Sequence, residues 1–188
     1  DSEKNIDGKY TDVEYGHNVF VRKWTNFTQN GIAKATQSSE YSHGKASLAI
    51  DNNTNPSRRN RSVTHTKKGK NNEWQVDLGD EYPISKIEIF NRWESNKNKD
   101  LGRLRYFSVY IDDAIVKTIG NEQKTNFVID MEPPRKGRIV KIKHNNFNTW
   151  LSLAEVKVWG APIEQFSAVK KIETFKDPIN GDGTPEVF

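Results

Sequence analysis

The chain has 188 residues, of which 34% are hydrophobic, 11% aromatic and 29% charged, with no cysteine. That is enough apolar material for one domain with a packed core; it excludes a collagen-like or wholly disordered chain, disulfides, thiolate metal sites and cysteine nucleophiles. The formal charge of +4, from 29 basic and 25 acidic residues, is too balanced for the one-signed surface of a nonspecific nucleic-acid binder, and no run approaches the roughly 18–20 apolar residues of a membrane span.

Residues 1–17 are polar and read as an N-terminal tail. From Val19 onward, short runs rich in Val, Ile, Phe, Tyr and Trp alternate with Gly, Asn, Asp and Pro clusters, which is the spacing of strands and turns. Strands are predicted over 19–24, 32–37, 73–78, 84–93, 104–112, 126–131, 138–144 and 153–159, with helix confined to a turn around 46–50. Within 138–144, Val140, Ile142 and His144 share one parity and Ile139, Lys141 and Lys143 the other, so one face is largely apolar. Eight strands without crossover helices predict an all-β, antiparallel β-sandwich or jelly roll over 18–161. Residues 162–188, mixing Pro, Gly and charges and ending in DPINGDGTPEVF, read as a linker toward a further module.

Loops of such a fold gather at the ends of the sandwich, so polar residues between strands are the candidates for a site. Arg92 and Glu94, two apart as the strand ends, share a face, and Glu94 is placed to orient the guanidinium by a charge-assisted bond. His65 lies in the long segment 51–72 and Lys99 beyond the strand. Together His65, Arg92 and Lys99 offer donors of different length, suited to a hydroxyl-rich neutral ligand such as a sugar, with an aromatic such as Trp93 against its ring carbons. Taken alone, such residues are more often a solvated surface, because exposed ion pairs contribute only about 0–1 kcal/mol. Asp51, Asn53, Ser62 and Glu155 add hard oxygen donors from separate segments, a set that suits Ca²⁺ and not zinc.

The segments KATQSSEYSHGKASLAIDNNT, SVTHT, EWQVDLGDEYPISKIEIFNRWESNKNK and LSLAEVKVW together resemble the F-type lectin (fucolectin) family over nearly all of 32–160. The family pattern is His, about two dozen residues, Arg-x-Asp, four residues, then Arg or Lys; here it falls on His65, Arg92, Glu94 in place of Asp, and Lys99. The resemblance implies a jelly roll that binds terminal α-L-fucose, with His65, Arg92 and Lys99 donating to the sugar oxygens and Glu94 orienting the cations. It also implies rim contacts from the neighbouring loops, for which Tyr41, Arg58, Arg59, Trp93 and Asn96 are the candidates. Some relatives carry adjacent cysteines at the positions of Ser95 and Asn96, so this chain must supply that contact otherwise, as from Trp93 or Tyr41, or do without it. A structural Ca²⁺ is implied as well, with carbonyls of Leu48, Asn53 and Ala154 and side chains of Asp51, Ser62 and Glu155 as ligands, fixing the loop that presents His65.

The resulting expectation is a noncatalytic lectin module for fucosylated glycans of blood-group or Lewis type on glycoproteins or glycolipids. It would serve as the targeting part of a longer secreted or cell-surface bacterial protein, such as a streptococcal cholesterol-dependent cytolysin, with a module appended to a glycoside hydrolase as the alternative. No membrane insertion by this domain is expected. Catalysis is disfavoured because no carboxylate pair, Ser-His-Asp pattern or phosphate loop is recognisable. Nucleic-acid binding by Arg58, Arg59, Arg61, Lys67, Lys68 and Lys70 is disfavoured because no aromatics interleave with these charges.

Overall fold

The computed structural model describes residues 24–94 and 100–160 in full and the backbone of β1 (Tyr10–Asp12) and β2 (Phe20–Arg22). Seven further strands follow: β3 (Thr25–Asn26), β4 (Lys34–Gln37), β5 (Glu73–Asn91), β6 (Phe107–Ile111), β7 (Ala114–Ile119), β8 (Asn126–His144) and β9 (Leu153–Gly160). Every pairing is antiparallel. Among the described residues helix is limited to 3-10 turns, one of them Ala46–Ala49 where a helical turn is expected.

The two long strands organise the sandwich. β5 and β8 run as one hairpin-like pair, but their register slips between Asp77 and Tyr82 and again between Ile84 and Lys86. Before the first slip, β5 pairs with β4 and with 139–143 of β8, which continue into β6 and β7. After it, β5 pairs with β9 and with the first part of β8, and β3 closes that edge. One continuous sheet is thus bent into the two layers of an antiparallel β-sandwich, the extra residues of each bulge turning the corner. Gly79 sits in the first slip at φ +88, a left-handed backbone that a side chain would strain.

Burial follows the pleat. Trp74, Val76 and Leu78 are buried at even positions of β5, whereas Ile87 and Ile89 are buried at odd ones, the parity changing across the second irregularity. In β8, Val140, Ile142 and His144 are all fully buried, matching the expected apolar face. Val140 and Ile142 form one core with Phe107, Val109, Leu153, Val156 and Val158.

Three expectations need correction. The pairs predicted at 73–78 with 84–93 and at 126–131 with 138–144 are single strands, because the bulges carry the ladder through Gly- and Pro-containing stretches that read as breaks. β7 was missed, being an edge strand whose residues except Ile119 are exposed or half-buried, so it has no alternating apolar signal. β1 lies inside the stretch read as a tail. Residues 161–188, expected as a linker, lie outside the described residues.

Candidate functional site

A cavity of about 510 Å³ is lined by residues of four loop segments including Gly44, Arg58, His65, Arg92, Asp100 and Arg103. Its floor is set by SVTHT. The backbone N–H of Thr64 and Thr66 donate to the carbonyls of Leu153 and Leu151, at 2.8 and 3.0 Å. In return the hydroxyls of Thr64 and Thr66 accept from the N–H of Leu153 and Leu151, each at 2.9 Å. Two threonines flanking a histidine therefore zip this segment onto the chain entering β9, and Ser152 falls opposite His65 with Oγ 2.7 Å from Nδ1. On the other side, the N–H of His65 donates to Gly44 O at 2.9 Å and its carbonyl accepts from Tyr41 N at 2.8 Å. A Cβ on Gly44 would stand 2.5 Å from the His65 nitrogen, so only glycine allows this approach.

His65 is 2% exposed. Burial lowers its pKa to about 4, with Arg92, Arg58 and Arg103 adding to the shift and Asp100 opposing it, so the imidazole is neutral at physiological pH. The Tyr41 ring meets it edge-on at 5.4 Å and the Trp150 indole lies tilted at 6.4 Å.

Arg92 is 5% exposed at the end of β5. Its Nη2 lies 3.0 Å from Asp100 Oδ2 and 3.6 Å from Glu94 Oε1, and Asp100 Oδ1 is also 2.8 Å from Arg103 Nη2. Nε and Nη1 are buried and find no partner among the described residues. Burial lowers the Arg92 pKa while Asp100 holds it up. A buried cation with two unsatisfied donor positions beside a polar cavity is equipped to hydrogen-bond ligand oxygens.

The residues expected to act together thus divide. His65, Arg92 and Glu94 line one cavity, as do Arg58 and Arg59, while Lys99 and Asn96 lie outside the described residues. The nearer carboxylate to Arg92 is Asp100 rather than Glu94, which also lies 3.8 Å from Arg59 Nε. Trp93 does not line the cavity; its backbone N–H donates to Pro56 O at 3.2 Å. The aromatics beside His65 are Tyr41, one of the expected rim residues, and Trp150, which has Arg103 and Lys68 over its ring at 4.8 and 5.5 Å. Asp100, Arg103, Trp150 and Ser152 were missed. The available signal was Asp100 three residues before Arg103, the spacing of a salt bridge across one helical turn, seen here at 2.8 Å.

The implied metal ligands come together in part. Glu155 is fully buried; its Oε1 accepts from Asn52 N at 3.2 Å, and its Oε2 has no partner among the described residues. Burial raises its pKa to about 7, and the nearby Asp51 adds to the rise. Asp51 Oδ1 accepts from Asn53 N at 2.9 Å. The Ser62 hydroxyl donates within the same loop to the carbonyls of Asn55 and Ser57, at 2.7 and 3.0 Å. Among the described residues no three His, Cys, Asp or Glu side chains cluster, so a cation here would draw on two carboxylates and on carbonyls, as from Leu48, Asn53 and Ala154. An orphaned buried carboxylate oxygen next to a second carboxylate fits a hard cation of that kind.

Residues 34–156, more than half of the chain, match the family model described as F5/8 type C domain. The chain belongs to that family. No curated protein sequence matches it. Among solved structures it is similar to a fucose-binding module of Streptococcus pneumoniae, SpX-3, at 31% identity and TM-score 0.64, over 72% of this chain and 98% of that one. The lectin domain of lectinolysin complexed with Lewis b antigen aligns at 31% identity and TM-score 0.63, over 71% and 95%. The fucolectin from striped bass (Morone saxatilis) serum aligns at 30% identity and TM-score 0.67, over 74% of this chain and 50% of that one. The F5/8 type C assignment agrees with the bent single-sheet sandwich and with the resemblance to fucolectins read from the sequence.

Proposed function

We propose that this F5/8 type C domain is a carbohydrate-binding module that recognises terminal α-L-fucose on glycans of blood-group or Lewis type. The observation that carries the reading is a buried neutral His65 and a buried, partly unsatisfied Arg92 on the walls of one polar cavity. In this reading the Ser152 hydroxyl donates to His65 Nδ1, leaving Nε2–H as the donor to the sugar. Arg92 donates through Nε and Nη1, Lys99 completes the set, and Tyr41 or Trp150 packs against the ring carbons. Structural neighbours at about 30% identity that are described as fucose-binding or as a fucolectin support the choice of sugar. Asp51, Glu155 and nearby carbonyls would hold a Ca²⁺ that braces the loops around His65 without touching the sugar. The domain would target a larger secreted protein, such as a pore-forming toxin, to glycans on host cells, its weak single site strengthened by several copies. A glycan array probed with and without free L-fucose tests this: binding confined to fucosylated structures and displaced by the monosaccharide is expected, and binding indifferent to fucose would overturn it.

A further inference from the structure

The cavity is more positive than a neutral sugar requires. Five arginines line it, Arg58, Arg59, Arg61, Arg92 and Arg103, against two carboxylates, Glu94 and Asp100. Both carboxylates are already engaged, Asp100 with Arg92 and Arg103, Glu94 with Arg92 and Arg59. Arg58 and Arg61 have no ion pair among the described residues. They bracket one tight turn, the 3-10 turn Arg58–Asn60 capped by Arg61 at φ 54, with Arg61 N–H donating to Arg58 O at 2.9 Å. The Arg58 guanidinium lies over the Tyr41 ring at 5.6 Å, a stack that leaves its edge N–H groups open. Arg58 is half-buried and Arg61 exposed, whereas His65 and Arg92 are buried, so uncompensated charge stands at the rim above a compensated floor.

We propose that Arg58 and Arg61 take an anionic substituent, a sulfate ester or a carboxylate, on the sugar next to the fucose, making this module selective for acidic fucosylated glycans. The proposal rests on the fucose reading of the floor. Guanidinium forks match the planar or trigonal oxygens of carboxylate and sulfate, and a concave rim of one charge sign strengthens the pairing relative to a flat surface. A nucleic-acid phosphate would satisfy the same two arginines but would leave the buried donors of His65 and Arg92 unused.

The test is calorimetric titration of the 188-residue protein with a neutral Lewis-type trisaccharide and its 3′-sulfated and 3′-sialylated forms. A sulfated disaccharide lacking fucose and a thymidine oligonucleotide serve as controls, all at low and high salt. At least one acidic fucosylated form should bind roughly tenfold tighter than the neutral one at low salt, with a smaller advantage at high salt and none in the R58Q/R61Q variant. Which acidic form gains identifies the anion. Neutral binding as tight as both acidic forms, an advantage that survives in the double variant, or control ligands binding as well as the acidic fucosylated form would each overturn the proposal. Failure of every fucosylated ligand to bind would instead sink the fucose reading beneath it.

Discussion

Arg92→Ala and Asp100→Ala, compared side by side, separate ligand contact from scaffold. Removing the Arg92 side chain leaves no carboxylate stranded, since Asp100 keeps Arg103 at 2.8 Å and Glu94 keeps Arg59 at 3.8 Å. It also removes a buried cation whose Nε and Nη1 are unpartnered among the described residues, so the loss reduces to packing, about 1 kcal/mol, or about 2–4 °C in Tm for a domain of this size. Removing Asp100 leaves Arg92 and Arg103 facing each other without the anion that bridges them, and breaking a buried pair in that way costs about 3–5 kcal/mol. The order for binding is different. Hydrogen bonds to a charged donor contribute about 1.5–3 kcal/mol each, so loss of two from Arg92 should weaken fucose binding by about a hundredfold or more. Thermal denaturation and calorimetric titration with L-fucose measure both. A larger Tm drop in Arg92→Ala than in Asp100→Ala, or unchanged fucose affinity in Arg92→Ala, would refute this account of the pair.

Gly44→Ala should destabilise by about 1–3 kcal/mol and weaken fucose binding, because the added methyl meets the His65 backbone; denaturant midpoints and titration should both shift, and an unaltered variant would mean that the loops separate freely. Chelation should lower Tm, by an amount equivalent to about 2.7 kcal/mol when calcium had been present at a hundred times its Kd, and a melting curve insensitive to chelator would count against a cation at Asp51 and Glu155. Acid should destabilise the calcium-loaded protein: burial lowers both His65 and His144 from 6.5 to about 4, so the unfolded chain binds more protons in that window. Stability is then whole above about pH 6.5 and falls by up to about 1.4 kcal/mol per pH unit for each histidine as pH drops toward 4. Urea titrations at several pH values should show this slope roughly halved in His144→Leu, and an undiminished slope would remove His144 from the cause.

The parts of this molecule legible in its sequence are those where one residue's environment is set by its own neighbours. Val140, Ile142 and His144 alternate with lysines along β8, and a pleat converts that alternation directly into an inner and an outer face. That His65 and Arg92 would line one cavity was legible for a different reason: both carry chemistry that stands out against a loop, and a family pattern links them across 26 intervening residues. What could not be read depends on approach in space. Asp100 looked like one more charge in a polar segment, and only the fold places its two oxygens between Arg92 and Arg103. Trp150 is one more aromatic of a strand-rich chain until the bonds of Thr66 with Leu151 and of Thr64 with Leu153 bring the residues around it beside the SVTHT segment. β5 and β8 read as four strands because a bulge and a chain break share the same Gly and Pro signals.

The electrostatics of the cavity floor also suit a histidine at position 65. A lysine at position 65 would be a buried cation near Arg92, Arg58 and Arg103, disfavoured by desolvation and by repulsion alike. An imidazole avoids both by staying neutral, and in the proposed reading the Ser152 hydroxyl, 2.7 Å from Nδ1, donates to it and leaves the ring proton on Nε2. Two pH dependences should therefore separate. Stability begins to fall near 6.5, where the unfolded chain takes up protons, but sugar binding by protein that is still folded should persist until pH approaches 4, where His65 itself becomes charged. Fucose titrations at pH 5.5, held far from the denaturation midpoint, should give an affinity within about twofold of that at pH 7. A tenfold loss at pH 5.5 would mean that His65 titrates near its ordinary value, and that burial and the arginines around it do not hold it neutral.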